Sequence, residues 1–103
     1  MKKFLVMLTL GLMGIGAQAM AADCPIKVGG LAPLSAPGSV TGGEAMRAAM
    51  LIAERDINAA GGVLGCDIKV VIADTEGLPE KARALMEKLI TQDGVVAVGG
   101  GYH

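Results

Sequence analysis

Five residues with reactive or hydrogen-bonding side chains fall in two short segments rich in glycine and other small residues. Ser35, Ser39 and Thr41 lie in one, and Tyr102 and His103 in the other. A serine or threonine hydroxyl becomes a nucleophile beside a base that a third group orients. His103 is the sole histidine, and the sequence offers no orienting group to complete a Ser–His pair. The strained elbow G-x-S-x-G is absent as well. Asp74 and Glu76 resemble a carboxylate pair, yet they follow a strand away from the expected crevice, so solvated loop acids are the expectation. No His, Cys or Asp cluster has metal-ligand spacing, and no cofactor is expected.

Phosphate chemistry fits no better. The segment GGLAPLSAPG lacks G-x-G-x-x-G and carries Pro33 where a glycine turn belongs, and G-x-x-x-x-G-K-[ST] is also missing. Gly99-Gly100-Gly101 reads as a tight strand-to-loop transition. Hydroxyls and free backbone amides beside a helix N-terminus suit a carboxylate or another compact polar group. That is the chemistry of binding rather than turnover.

The elements that must position these residues follow from periodicity. Ile26–Leu31 reads as a strand stopped by Pro33, and Pro37-Gly38 marks a turn. Thr41 is the expected N-cap, with Glu44 completing a capping box. A helix then runs from about Gly42 to Ala60 with Met46, Ala49, Met50, Ala53, Ile57 and Ala60 on one apolar face. Arg47, Glu54 and Arg55 fall off that stripe, and Gly61-Gly62 ends the helix. Asp67–Ala73 is the second strand; its run Val70-Val71-Ile72 suggests cover on both faces. Pro79 opens a second helix reaching Gln92, with Ala82, Leu85, Met86, Leu89 and Ile90 inward. Val95–Val98 is the third strand.

This β-α-β-α-β order implies an α/β fold with a parallel sheet, right-handed crossovers and helices on both faces. In strand order 2-1-3 the switch point lies between the first and third strands, and ligands bind outside the carboxyl ends there. Two loops flank that crevice, Ala32–Thr41 and Gly99–His103.

Composition narrows the partners. The chain has 103 residues and a formal net charge of −1. Met1-Lys2-Lys3 followed by apolar Phe4–Gly16 and the small-x-small sites at Ala17–Ala19 and Ala19–Ala21 reads as a Sec-type signal peptide over residues 1–21, cleaved after Ala19 or Ala21. The apolar run is shorter than the roughly 18 residues of a membrane anchor. Asp23 opposes a lipoprotein reading of Cys24. Cleavage leaves seven basic against ten acidic residues; a mildly acidic surface almost without aromatics argues against nucleic acid and anionic membrane as partners. An even cysteine count in an exported chain favours a disulfide between Cys24 and Cys66, the alternative being two buried or free thiols.

Three stretches carry a resemblance: IKVGGLAPLSAPGSVTG, AERDINAAGGVLGCDIKVVIADTEGLPEKA and LITQDGVVAVGGGYH. Asn58 to Gly65, NAAGGVLG, is the most specific piece, and the Asp74-Thr75 strand end before Pro79 supports it. Together they resemble the N-terminal part of type I periplasmic solute-binding proteins, in the leucine/isoleucine/valine-binding family of ABC importers. The resemblance implies that residues 22–103 form an incomplete first lobe of a two-lobed, non-enzymatic periplasmic protein. Such a protein closes on an amino acid or amide and delivers it to permease subunits. Carried onto this chain, Ser35, Thr41, Tyr102 and His103 become the expected solute contacts. A sensory role on the same fold is the alternative, and an exported α/β enzyme using Ser35 or His103 a more distant one. A piece of this size buries a modest share of its surface, leaves two sheet edges open, and on its own is expected to bind solute without useful affinity.

Overall fold

The computed structural model describes residues 23–102; the signal peptide expected over 1–21 and the contact expected at His103 lie outside the described residues. Five elements follow one another: β1 (Ile26–Ala32), α1 (Val40–Ala59), β2 (Ile68–Asp74), α2 (Pro79–Thr91) and β3 (Ala97–Gly100). The strands are parallel in the order β2-β1-β3, as the sequence reading has it.

The central strand reveals the layers. A Cβ added to Gly29 would stand 3.0 Å from Leu89 of α2, and one added to Gly30 would stand 2.5 Å from Met50 Sδ of α1. Neighbouring strand residues point to opposite faces, so the two helices cover opposite sides of the sheet. The result is three layers, α/β/α. Leu31, Ala32, Ile68 and Leu89 are buried around β1. Burying a leucine fully contributes about 1.5–3 kcal/mol, and Leu89, 1% exposed, is the residue that receives all of it.

Several expectations are corrected. β3 begins two residues later than Val95–Val98, because Val95 N–H still donates to Leu89 O at the exit from α2. Val96 N–H then reaches Lys27 O at 2.9 Å, and the ladder runs from Val28↔Ala97 to Leu31↔Gly100. Backbone pairing needs no side chain, so Gly99 and Gly100 serve as strand residues.

Helix α1 likewise starts earlier than Gly42. Its N-cap is Ser39, without a side-chain cap bond, and Thr41 lies inside the first turn. Glu44 faces Arg47 at 3.3 Å instead of closing a capping box. Gly42 and Gly43 lie in close contacts within that turn: a Cβ on Gly43 would overlap Pro33 O, and one on Gly42 would meet the ring of Tyr102.

The apolar stripes are only partly covered. Ile57, Met86 and Ile90 are exposed, and Ala49 and Ala53 are exposed as well. Val70-Val71-Ile72 is half-buried rather than enclosed, since β2 is an edge strand. Its outer edge is not open, however. Glu54 is half-buried, and its Oε2 accepts from Val70 N–H at 2.6 Å.

Cys24 and Cys66 form a disulfide with Cα atoms 5.3 Å apart. The parallel register Ile26↔Ile68 brings the amino ends of both strands together and makes that bond geometrically accessible.

Candidate functional site

At the carboxyl end of β1 the chain meets Pro33 and swings through Leu34–Ser39 before α1. The loop is tied down by a residue from β2. Asp74 Oδ1 accepts from Leu34 N–H at 2.7 Å and from Glu76 N–H at 2.9 Å. Asp74 Oδ2 accepts from Ser35 Oγ at 2.6 Å. A Ser35–Gly38 turn, Gly38 N–H to Ser35 O at 3.1 Å, closes the tip.

The two loops touch through glycines. A Cβ on Gly77 would stand 2.7 Å from Gly38 Cα, and one on Gly38 would stand 2.8 Å from the Glu76 carbonyl carbon. Gly77 has φ +72°, where glycine alone is unstrained. Buried Thr75 supports the turn into α2: its Oγ1 accepts from Gly77 N–H at 3.1 Å, and its carbonyl from Leu78 N–H at 2.9 Å.

Asp74 is thus not the solvated loop acid expected from sequence. The Ser35 hydroxyl and the Glu76 amide hold its pKa down at about 2, with help from the Leu34 amide and the Lys81 charge, against a smaller cost of desolvation. It is ionised at neutral pH and a poor base. Glu76 is engaged too, in an ion pair with Lys81 of α2. The local sequence held a signal for this clasp. Asp74-Thr75-Glu76-Gly77 has the form of a turn in which aspartate bonds the backbone two residues on.

On the other side of β1, the chain leaving β3 folds back over the sheet end. Gly101 N–H donates to Leu31 O at 3.0 Å, and the Tyr102 ring stands against Gly42 in the first turn of α1. Tyr102 is 47% exposed, and Thr41, next to Gly42, is exposed as well. The crevice end of the sheet therefore brings Tyr102 together with the helix turn that carries Thr41. Ser35 is drawn instead towards β2, with its hydroxyl hydrogen committed to Asp74. Among the described residues no three His, Cys, Asp or Glu side chains converge as for a metal ion.

Known proteins resemble this chain in sequence and in fold. A family model described as periplasmic binding protein matches residues 25–103. An amino acid binding protein of Pseudomonas aeruginosa is 38% identical over 101 residues, covering 98% of this chain and 26% of that protein. The structure of a branched-chain amino acid ABC transporter protein from Silicibacter pomeroyi superposes with a TM-score of 0.69 at 33% identity, over 77% of this chain and 20% of the other. The branched-chain amino acid transporter substrate binding protein LivJ from Streptococcus pneumoniae, in complex with isoleucine, superposes with a TM-score of 0.66 at 36% identity, over 71% and 21%. The chain spans about a quarter of the length of the curated relatives it matches.

Proposed function

The chain belongs to the periplasmic binding protein family, and we propose that it serves as the solute-binding component of an ABC importer. The solute is a branched-chain or related amino acid, or an amide. Residues 22–103 supply part of the first lobe, and permease subunits receive the solute. The observation that carries this reading is the 38% identity along 98% of the chain to an amino acid binding protein. The superposition on an isoleucine complex supports it further.

The role of the chain is to build one wall of the cleft. Thr41 and Tyr102 flank the crevice end of β1 and β3, with His103 next in the chain, while Ser35 offers lone pairs from the opposite side of the loop. Recognition and closure, rather than bond making, are the activity of such a wall. The leader over residues 1–21 directs export to the periplasm, and the Cys24–Cys66 disulfide suits that oxidising compartment. Among the described residues no helix is long and apolar enough to cross a membrane.

A chimera tests the assignment. Residues 23–103 replace the matching segment of the Pseudomonas aeruginosa relative, and isothermal titration follows with leucine, isoleucine, valine, alanine, threonine and their amides. Binding of at least one of these at micromolar concentration is the expected result. A folded chimera that binds none of them refutes the assignment. The isolated chain, titrated in parallel, is expected to give no heat of binding.

A further inference from the structure

We propose that Asp74 is a positioning residue for the solute-binding wall, its carboxylate clasping the β1–α1 loop to the end of β2. The identity of that wall rests on the function proposed above; the clasp itself does not.

Three donors converge on this one carboxylate, and two of them come from far along the chain. Leu34 N–H and Ser35 Oγ are separated from Asp74 by 40 and 39 residues. The third, Glu76 N–H, fixes the turn that follows β2. A carboxylate can accept all three at once, because each of its oxygens carries two lone pairs. Bonds to an ionised acceptor are also about twice as strong as neutral ones. The effect is to join two loops that β-ladder pairing alone leaves independent, since the β1–β2 register ends at Ala32↔Asp74. Thr75 N–H adds a last rung to Ala32 O at 2.9 Å; beyond it the side chain of Asp74 takes over from the ladder.

A second observation points the same way. Glu76 adopts φ +55°, a region non-glycine residues seldom enter. It is held there at both ends, its N–H by Asp74 Oδ1 and its carboxylate by Lys81. Gly38 and Gly77 then meet with no room for a side chain between them. A loop so held cannot drift when the solute leaves. The wall is preorganised, and the ordering cost is met during folding rather than on binding. Among the described residues, the charge that acts on Asp74 is Lys81 of α2, which is itself paired with Glu76.

NMR measurement of amide exchange on the full chain tests the clasp, comparing wild type with Asp74→Ala and Asp74→Asn. Loss of the acceptor in Asp74→Ala is expected to speed exchange at the Leu34 and Glu76 amides by roughly tenfold, leaving Gly29 and Leu31 in β1 unchanged. Asp74→Asn keeps an oxygen at the Oδ1 position, so both amides stay protected there. It also removes the titrating group, so the acid-induced movement of the Leu34 amide signal expected in wild type should vanish. If Asp74→Ala does not fold, that titration decides the matter alone. Unchanged exchange in Asp74→Ala, loss of protection spread evenly along the chain, or an acid transition that persists in Asp74→Asn overturns the proposal. No solute is needed in these measurements, so a failed clasp is read separately from a failed binding assignment.

Discussion

The side-chain amide of Asn58 meets both backbone groups of Ile68. Ile68 N–H donates to Asn58 Oδ1 at 2.8 Å, and Asn58 Nδ2 donates to Ile68 O at 3.0 Å. One helical turn earlier, Glu54 accepts from Val70 N–H. Four helical residues rise about 6 Å, and two strand residues about 6.6 Å. A helix running against the strand can therefore serve alternate residues of β2, and those are the ones whose backbone faces away from β1. An edge that would otherwise recruit another strand is paired by side chains.

This arrangement gives the first prediction. Asn58→Ala leaves both groups of Ile68 short of a partner and should cost about 1–3 kcal/mol. Asn58→Asp keeps an acceptor but sets a carboxylate against the Ile68 carbonyl, so it should cost at least as much. Urea unfolding of the three chains measures the difference, and equal midpoints would show that the edge pairing contributes nothing.

Glycine substitutions should separate by what surrounds them. A Cβ at Gly43 strikes the Pro33 carbonyl, which is backbone, and Gly43→Ala should cost about 3 kcal/mol. At Gly30 the obstacle is the Met50 thioether, which is flexible, and Gly30→Ala should cost about 1 kcal/mol. The order of the two thermal midpoints is the observable. Gly43→Ala melting no lower than Gly30→Ala would contradict the contact geometry.

The disulfide joins residues 42 apart in sequence. On the chain-entropy account, closing a loop of that length stabilises by about 4 kcal/mol, a large share of what a small domain has to lose. The double variant Cys24→Ser, Cys66→Ser should therefore unfold at much lower denaturant concentration than the oxidised chain. Wild type under reducing conditions should follow the variant. Coincident unfolding curves for the oxidised and reduced forms would remove the disulfide from the account of stability.

Much of the fold was legible because parallel β-α units leave a repeated pattern. Apolar runs, the Pro79 start and the Gly61-Gly62 stop placed every element in order. Errors gathered where one element answers to another. α1 begins at Val40, and its first turn packs Gly43 and Gly42 against Pro33 and Tyr102; the start of β3 follows its register with β1. Glu54 falls largely off the apolar stripe, and the β2 edge offers it an amide. At the candidate site the loop residues were visible as polar groups among small ones. Asp74 was missed as their anchor because two of its donors lie 39 and 40 residues away.

The pH dependence of stability should carry the signature of Asp74. Its carboxyl is lowered from 3.8 to about 2 in the folded chain, so the folded state binds that proton more weakly than the unfolded state does. The stability it contributes is fully present above its unfolded value and is lost as pH falls through about 2. Wild type should lose stability relative to Asp74→Asn across that window. At higher pH the difference between the two should be constant. Parallel curves down to the acid end would mean that the carboxylate makes no charge-dependent bond.

The last prediction concerns which part of the solute Ser35 can meet. A serine hydroxyl has one hydrogen to donate and two lone pairs, and the hydrogen goes to Asp74. Ser35 can then receive a donor, such as an ammonium or an amide N–H, but cannot donate to a carboxylate. In Asp74→Asn the side-chain NH2 can face Ser35 and donate to it, releasing the serine hydrogen for an acceptor. Made in the chimera, Asp74→Asn should weaken an amine without a carboxylate, such as 3-methylbutylamine, relative to an acid without an ammonium, such as 4-methylpentanoate. One bond of this kind corresponds to a change of roughly tenfold in the affinity ratio. General damage to the loop would weaken both ligands alike and leave the ratio where it was. Competition titrations against leucine supply that ratio, and an unchanged value would place Ser35 outside the solute contacts.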